Sequence, residues 1–447
     1  MNYQAAVRYL LSLGRELAAP TQAAAAKFDL ENILTLATHL GRPDRAYAGI
    51  HIAGTNGKGS TAAFTESILR HAGFRTGLYT SPHLERINER IRVDSQEITD
   101  AGFADAFTRL VALIEKLLAA GQLRAHPTFF ECVTAVAFDH FARRRVEFAV
   151  FEVGLGGRLD ATNIIKPTIT IITRLDFDHE NFLGHSLPEI AREKAGILKP
   201  HVPVVLAAQR PEAREVVLSR ARELACEVLE PSQLFQISGE STEHGRTRAL
   251  VSESASAASF ELAPSLSGRF QLDNALNALS AARLLQAKGF RISHRDIEQG
   301  IATTSWPGRL EKLQSAPDVY LDGAHNPSAA RELAAFLAQN LGGRKIWLLF
   351  GALRDKAVDE VAGILFPLAA EVIFTEARTS RAISSGQLAE IASHHAASFK
   401  VIPSAEEAFE YAISKTAPSD VVLVSGSLYL VGQLRHYWNS RSTVPAV

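Results

Sequence analysis

The feature that most constrains the fold is a glycine-rich turn between an apolar run and a helical pattern. The apolar run covers Ile50 to Ala53, the turn covers Gly54 to Gly59, and the helical pattern extends from Ser60 to Ala72. Gly73 then stands at a position typical of a helix C-cap. A strand, a glycine-rich loop and a helix in this order form an arrangement that cradles phosphate groups.

Other segments continue an α/β pattern in the first two thirds of the chain. The runs 148–151 and 168–172 are continuously rich in β-branched and aromatic residues, as expected of strands buried on both faces of a parallel sheet. Helical periodicity is present at the N-terminus through about Arg45, and again at 130–141, 187–197 and 272–286. These patterns predict one α/β unit with a parallel sheet.

The chain then changes character twice. From about 233 to 267 it is polar and serine-rich, which predicts short antiparallel strands or a long surface excursion; the serines include Ser252, Ser254, Ser256 and Ser259. A new alternation begins near Trp306, with strands predicted at 319–321, 346–350, 372–374 and 421–424. We therefore predict an α/β protein of two domains, residues 1–305 and 306–447, with a cleft between them where two substrates could meet.

Composition narrows the class of protein. Of the 447 residues, 47 are Lys or Arg and 48 are Asp or Glu, so charge gives no reason to expect nucleic acid as a partner. No apolar run approaches the ~20 residues that cross a bilayer. The N-terminus lacks the pattern of a leader peptide. Cys132 and Cys226 lie in apolar stretches without metal-type spacing, which predicts two buried thiols and a soluble, cytoplasmic protein.

The strongest local signal for chemistry is the turn itself. Its glycines allow backbone N–H groups to approach phosphate oxygens, Lys58 could reach the terminal phosphates, and Ser60 could offer its hydroxyl to Mg²⁺. Gly59 separates the lysine from the serine, so the loop departs from the standard P-loop; a glycine-rich turn without a ligand is the alternative. A mononucleotide site explains the segment better; it comprises Gly54, Thr55, Asn56, Gly57, Lys58, Gly59 and Ser60.

Candidate metal ligands follow two later strands. Glu152 directly follows the run 148–151, so it lies at the carboxyl end of a predicted strand, where open α/β sheets bind ligands. A second glycine-rich loop, 154–163, comes after it. His179 follows the next strand and could bind a metal through a neutral imidazole. The local pattern around Lys194 is that of an ordinary solvated helix lysine.

Two further candidates open the second domain. Asp322 and His325 follow a predicted strand and could contact nucleotide or substrate across the cleft. The neighbouring Asn326 and Pro327 are explained by a helix start alone, since asparagine caps helices and proline is favoured at the first helical position.

Together these residues resemble the folylpolyglutamate synthase/dihydrofolate synthase family of the Mur ligase superfamily. The matching segments occur in the family's order over most of the chain; they are 53–60, 81–84 with 88–90, 152–163, 178–179, 193–197, 307–309 and 322–327. The resemblance implies a P-loop ATPase domain followed by a Rossmann-like domain, the two closing over ATP. It implies one Mg²⁺ near Ser60, Ser81 and Glu152, a second near His179, and allows K⁺ as a further cation.

The resemblance also assigns roles that local patterns do not. It makes Lys194 a carbamylated lysine that serves the metal site, and it gives Lys58, Lys194 and His325 catalytic roles. It implies that Asn274 contacts adenine while Arg309 and Asp322 bind ATP from the second domain. Folate contacts would come from three segments, which include Leu30, Glu31, Thr128, Phe129, Phe130, Glu131, Leu159, Asp160 and Ala161.

The implied reaction adds L-glutamate to a pterin acid. ATP activates a carboxylate as an acyl phosphate, and the amine of glutamate displaces phosphate. The acid could be dihydropteroate, a reduced folate, or both, and bifunctionality is the working hypothesis for what would be a monomer. Family members often carry Leu-Glu-Arg-Ile where this chain has Leu30-Glu31-Asn32-Ile33. The loss of that cation leaves substrate choice open between a bifunctional and a monofunctional enzyme.

Three other functions remain as alternatives. The nearest is a Mur-type ligase that acts on a UDP-sugar peptide, which the segment 81–84 disfavours. A second is a P-loop switch or motor, in which nucleotide hydrolysis drives a conformational change. A third is a binding protein without catalysis, which is disfavoured by the presence of all the candidate residues Lys58, Ser60, Glu152, His179 and Lys194.

Overall fold

The computed structural model describes residues 1–13, 29–253, 259–354 and 356–441. In these ranges the chain forms three sheets. The first has the strand order β4-β3-β2-β5-β1-β6-β7-β8, and its central strands are parallel, with β3 and β4 added antiparallel at one edge. Its strands are β1 Ala48–Ala53, β2 Thr76–Tyr79, β3 Ile91–Val93, β4 Gln96–Glu97, β5 Phe148–Glu152, β6 Pro167–Ile172, β7 Val204–Leu206 and β8 Val228–Leu229.

Helices cover both faces of this sheet because its central strands are apolar on both sides. Ala149 and Phe151 of β5 belong to the hydrophobic core on one face, while Phe148 and Val150 belong to the core on the other. The helices of this domain are Tyr3–Ser12, Glu31–His39, Lys58–His71, Asp100–Ala119, Phe129–Arg143, Glu180–Leu183, Leu187–Ala195, Pro211–Glu223, Pro231–Leu234, Phe270–Ala287 and His294–Ala302. Short 3₁₀ turns lie at Pro43–Arg45, Ile87–Arg90 and Ala161–Ile164.

The serine-rich stretch forms a small antiparallel sheet. Its strands are β9 Phe235–Glu243, β10 Arg246–Glu253 and β11 Ser259–Leu262, with β10 in the middle. Of the two alternatives left by the sequence, short antiparallel strands are therefore correct. Ser254 and Ser256 lie outside the described residues.

The third sheet forms the C-terminal unit, in the order β12-β13-β17-β14-β15-β16. Its strands are β12 Glu311–Gln314, β13 Asp318–Leu321, β14 Ile346–Phe350, β15 Glu371–Glu376, β16 Phe399–Ser404 and β17 Val421–Ser425, of which only β12 pairs antiparallel. The helices are Pro327–Asn340, Val358–Leu365, Ser385–Ala392, Ala405–Lys415 and Leu428–Arg441, with 3₁₀ turns at Phe366–Leu368 and Ser393–His395. The predicted domain division at 305/306 falls between the last N-terminal helix and β12.

Most of the regular hydrophobic patterns in the sequence correspond to strands and helices of the fold. The strands and helices predicted with defined ends are present, and their ends differ from the prediction by at most two residues. The elements that the sequence did not reveal include β2, β3, β7, β16 and the helices Asp100–Ala119 and Pro211–Glu223. The prediction of two buried thiols is correct for Cys132 but wrong for Cys226, which is only half-buried beside the edge strand β8. Within the described residues, no helix is long and apolar enough to span a membrane.

Candidate active site

A cavity of about 570 Å³ lies between the N-terminal and C-terminal units, and residues from both line it. Strands β5, β1 and β6 are parallel neighbours, so the loops that leave their carboxyl ends meet at one edge of the sheet. The loop after β13 faces them from the C-terminal unit. Of the predicted ATP and metal residues, those lining the cavity are Thr55, Asn56, Gly57, Lys58, Gly59, Ser60, Ser81, Glu152, His179, Lys194, Asn274, Arg309, Asp322 and His325.

The loop after β1 can take its shape only because two of its residues are glycines. A Cβ atom on Gly54 would lie 1.8 Å from Thr173 Oγ1, and one on Gly57 would lie 2.3 Å from Asn274 Oδ1. Gly57 also has a φ of +85° and directly precedes the helix Lys58–His71. The first N–H groups of a helix have no partner within it, and the first residues of this helix, Lys58 to Ser60, line the cavity, which is an arrangement suited to phosphate.

The half-buried Lys58 and the buried Lys194 converge on one backbone oxygen of this loop. Lys58 Nζ donates to the Gly54 carbonyl at 3.0 Å, and Lys194 Nζ donates to the same carbonyl at 2.8 Å. Burial, followed by the nearby charge of Lys58, lowers the pKa of Lys194 to about 7. Burial also lowers the pKa of Lys58. A substantial fraction of the Lys194 amine is therefore neutral at physiological pH, unlike that of a solvated helix lysine.

Oxygen donors lie on the other side of the phosphate loop. Glu152 is the last residue of β5, is only 5% exposed, and accepts a hydrogen bond from the Ser81 backbone N–H at 3.2 Å. Burial raises the pKa of Glu152, and the charge of Lys58 partly opposes that rise. A carboxylate in this position is stabilised when a cation arrives. The hydroxyls of Ser60 and Ser81 line the same cavity and are hard donors suited to Mg²⁺.

Asp178 of the N-terminal unit forms an ion pair with Lys356 of the C-terminal unit, a residue that the sequence analysis did not identify. Lys356 Nζ, from the C-terminal unit, lies 2.7 Å from Asp178 Oδ1 and 3.3 Å from His179 Nε2. His325 donates from Nδ1 to the Gly323 carbonyl and presents Nε2 3.6 Å from Asp178 Oδ2. Burial acts to raise the pKa of Asp178, but the hydrogen bond from His325 and then the charge of Lys356 overcome it and hold that pKa well below its usual value.

Amide and ionic contacts also link the units at the cleft. Asn326 donates from Nδ2 to Asn56 Oδ1 at 3.0 Å, and its Oδ1 accepts from Asn56 Nδ2 and from the Ala329 N–H that it caps. The expectation that Asn326 begins a helix is confirmed, but the same side chain also contacts the phosphate loop. Arg174 and Glu332 form an ion pair of 2.9 Å across the cleft.

The predicted ATP contacts from the second domain have a structural role as well. Asp322 is buried and accepts hydrogen bonds from the Leu310 N–H at 2.9 Å and the Ala324 N–H at 2.8 Å. Burial raises its pKa, and the charge of Arg309 opposes the rise. Asp322 thus fixes the two loops that present Arg309 and His325 to the cavity.

The segments predicted to contact folate come together, but beside the cleft and not in the cavity lining. The helix Glu31–His39 packs against the helix Phe129–Arg143 and the turn Ala161–Ile164. Glu131 accepts hydrogen bonds from Thr128 and so caps its own helix, while Asp160 accepts from the Gly154 and Leu155 N–H groups. Their assignment as substrate contacts stays a prediction.

Three charged side chains at the cavity were not predicted from the sequence. Arg174 and Arg210 line the cavity, and Lys356 forms an ion pair with Asp178 in the lining. Lys356 follows β14 by a short loop, so the position of a charged residue after a strand end was the available signal. That signal does not show which residue of the other unit the side chain meets.

Comparison with known proteins agrees with this architecture. Residues 52–282 match the family model described as the Mur ligase middle domain, and residues 308–428 match the Mur ligase glutamate ligase domain. The dihydrofolate synthase/folylpolyglutamate synthase of Bacillus subtilis is 35% identical over 405 residues, which are 90% of this chain and 92% of that protein.

Solved structures are similar over nearly the whole chain. A Mycobacterium tuberculosis folylpolyglutamate synthase complexed with ADP has a TM-score of 0.88 and 30% identity, with 98% of each chain covered. E. coli FolC in complex with DHPP and ADP has a TM-score of 0.85 and 28% identity, with 99% of each chain covered. The fold and the two domain matches define a Mur ligase. Within that class, the chain belongs to the dihydrofolate synthase/folylpolyglutamate synthase family.

Proposed function

We propose that this enzyme is an ATP-dependent ligase that joins L-glutamate to a folate-type acid. The observation that carries the proposal is the cleft itself, where a phosphate-type loop with two converging lysines and Glu152 faces Asp322 and His325. The relatives named as dihydrofolate and folylpolyglutamate synthases, and the ADP complexes of similar structures, support it.

The chemistry follows from the poor reactivity of a carboxylate toward an amine. The acid's carboxylate oxygen attacks the γ-phosphorus of ATP, the bond to the β-phosphate oxygen breaks, and ADP leaves. The amine of glutamate then attacks the acyl carbon, loses a proton, and displaces inorganic phosphate. Lys58 and Arg309 can neutralise charge during phosphoryl transfer. His325 stays a predicted catalytic residue; it lines the cavity and donates from Nδ1 to the Gly323 carbonyl.

The oxygen donors at the first predicted site suit Mg²⁺, whereas at the second predicted site a lysine lies where an ion would bind. Ser60, Ser81 and Glu152 offer hard oxygens, and a cation would relieve the burial of the Glu152 carboxylate. Mg²⁺ supplies charge neutralisation on the transferring phosphoryl group when it is bound. At His179 the Lys356 ammonium already lies 3.3 Å from Nε2, so a second ion requires Lys356 to withdraw. The part of K⁺ in this site stays a prediction.

The buried environment of Lys194 supports the prediction, implied by the family resemblance, that this lysine is carbamylated. Its pKa of about 7 leaves a neutral amine available to combine with CO₂, with loss of a proton, to give a carbamate. The product is an anion, which suits the cationic surroundings created by Lys58 better than an ammonium does. Carbon NMR with ¹³C-bicarbonate should show a carbamate signal that disappears in Lys194→Met; an active, unmodified enzyme would exclude the carbamate.

The acid remains the open choice, and the working proposal is a bifunctional enzyme that accepts both dihydropteroate and a reduced folate. In place of the family's arginine, Asn32 lies against the buried Glu131. A neutral amide there leaves more negative charge near the predicted folate segments, so selectivity could favour one acid. We further propose that the enzyme works as a monomer in the cytoplasm.

ADP release tests the proposal and separates it from a nucleotide-driven switch. Mg²⁺–ATP and glutamate are supplied with dihydropteroate or with tetrahydrofolate, and Lys58→Met is compared with Lys116→Met, a control at an exposed lysine. We expect turnover that needs both glutamate and a pterin acid and that is lost only in Lys58→Met. Turnover indifferent to both substrates would overturn the ligase and favour the switch; activity with only one acid would remove bifunctionality.

A further inference from the structure

Two histidines and an aspartate of the C-terminal unit lie close together, outside the residues that line the cavity. Asp359 lies in the first turn of the helix Val358–Leu365, and His394 and His395 form the end of the 3₁₀ turn Ser393–His395. The three residues come from two separate elements. None of the chemistry derived above uses them.

Their spacing is that of metal ligands. His395 Nε2 lies 3.0 Å from Asp359 Oδ1, and His394 Nε2 lies 3.4 Å from the same oxygen. One ligand atom from each residue lies within 4.8 Å of the other two. Ligands about 2.0–2.1 Å from a tetrahedral Zn²⁺ are separated from one another by roughly 3.3 Å. The cluster thus needs only small side-chain movements to place three ligands around one ion.

The fold holds part of this cluster in place. The helix that carries Asp359 has a glycine one turn later, and a Cβ atom on Gly363 would lie 3.3 Å from His395 Cε1. The His395 ring therefore lies close against the helix, with its side chain 26% exposed. The side chains of His394 and Asp359 are more open, at 61% and 63%, which leaves room for water to complete a coordination shell.

We propose that Asp359, His394 and His395 bind one first-row divalent ion, with Zn²⁺ as the chemical class that two imidazoles and a carboxylate suit best. The ion would join the helix Val358–Leu365 to the turn Ser393–His395. The simpler arrangement is a carboxylate that accepts hydrogen bonds from two imidazoles without any ion. Only metal binding distinguishes the two.

The test uses Co²⁺ as a spectroscopic probe and Zn²⁺ as a competitor, with the full chain already saturated with Mg²⁺ and a non-hydrolysable ATP analogue so that the cleft is occupied. Binding is followed by visible absorption and by titration calorimetry. The variants are His395→Ala, His394→Ala and Asp359→Asn. His294→Ala is the matched control, because the exposed His294 side chain pairs with Glu298 at 3.3 Å on a helix without a second histidine.

We expect one equivalent of Co²⁺ that Zn²⁺ displaces, and affinity reduced more than about tenfold by each of the three substitutions but not by His294→Ala. Zn²⁺ should also raise the melting temperature of the wild type and not that of His395→Ala. Equal Co²⁺ stoichiometry and affinity in wild type and all three variants would overturn the site. Loss in His294→Ala as well would show nonspecific binding to surface histidines, which also overturns it.

Discussion

The buried amine of Lys194 should make the stability of the ligand-free enzyme depend on pH in a defined direction. The pKa falls from the ordinary 10.5 in the unfolded chain to about 7 in the folded one. Between these values the unfolded chain holds a proton that the folded chain has lost, so the free energy of unfolding rises with pH. Below pH 7 both states are protonated and the full cost of burying the charge is present.

The magnitude follows from these two pKa values. The cost of the buried charge is about 5 kcal/mol at pH 6 and about 2 kcal/mol at pH 9. Lys194→Met keeps most of the apolar stem and removes the charge, at a loss of about 1 kcal/mol for the hydrogen bond to Gly54. The variant should therefore be more stable than the wild type at pH 6, by an amount that is about 2–3 kcal/mol smaller at pH 9.

Urea unfolding followed by circular dichroism measures this difference, in buffers free of CO₂ and divalent metal so that the amine stays unmodified. Lys116→Met, at an exposed position, serves as the control and should differ from the wild type equally at both pH values. If the difference between Lys194→Met and wild type were the same at pH 6 and pH 9, the argument that burial perturbs this amine would be refuted.

Three further substitutions probe the cleft. Gly57→Ala places a Cβ atom 2.3 Å from a neighbouring side-chain oxygen at a positive φ, so calorimetry should show ATP affinity reduced at least about tenfold. Lys356→Met leaves Asp178 without its lysine partner and should lower the free energy of unfolding by about 3–5 kcal/mol, while titration shows tighter Mg²⁺ binding because the ammonium beside His179 is gone; unchanged stability and unchanged Mg²⁺ affinity would exclude this pairing role of Lys356. Gly432→Ala brings a Cβ atom 2.0 Å from the Leu84 carbonyl, where the two units meet, and should cost about 1–3 kcal/mol in thermal unfolding. Gly386→Ala, which meets nothing within 4 Å, is its control and should melt like the wild type.

The sequence predicted those parts of the fold that depend on local pattern. The run 148–151 is continuously apolar, and β5 is buried on both faces. By contrast, β2 has only four residues, Thr76–Tyr79, with a glycine among them. Its threonine and glycine leave no continuous apolar run by which a strand differs from a loop, whereas the equally short β13 contains the run Val319 to Leu321. The helix Pro211–Glu223 is rich in charged residues and buries only three side chains, so its apolar face was too sparse to recognise.

The sequence by itself determined the phosphate loop, the order of the motifs, and hence the family and fourteen of the residues that line the cavity. Only the tertiary structure decided which charges meet. Lys58 and Lys194 are far apart in the chain yet donate to one carbonyl, and Lys356 reaches Asp178 from the other unit. A lysine in a helix looks solvated until packing buries it, because pKa depends on burial and on nearby charge. Neither quantity is encoded by the residues adjacent in sequence.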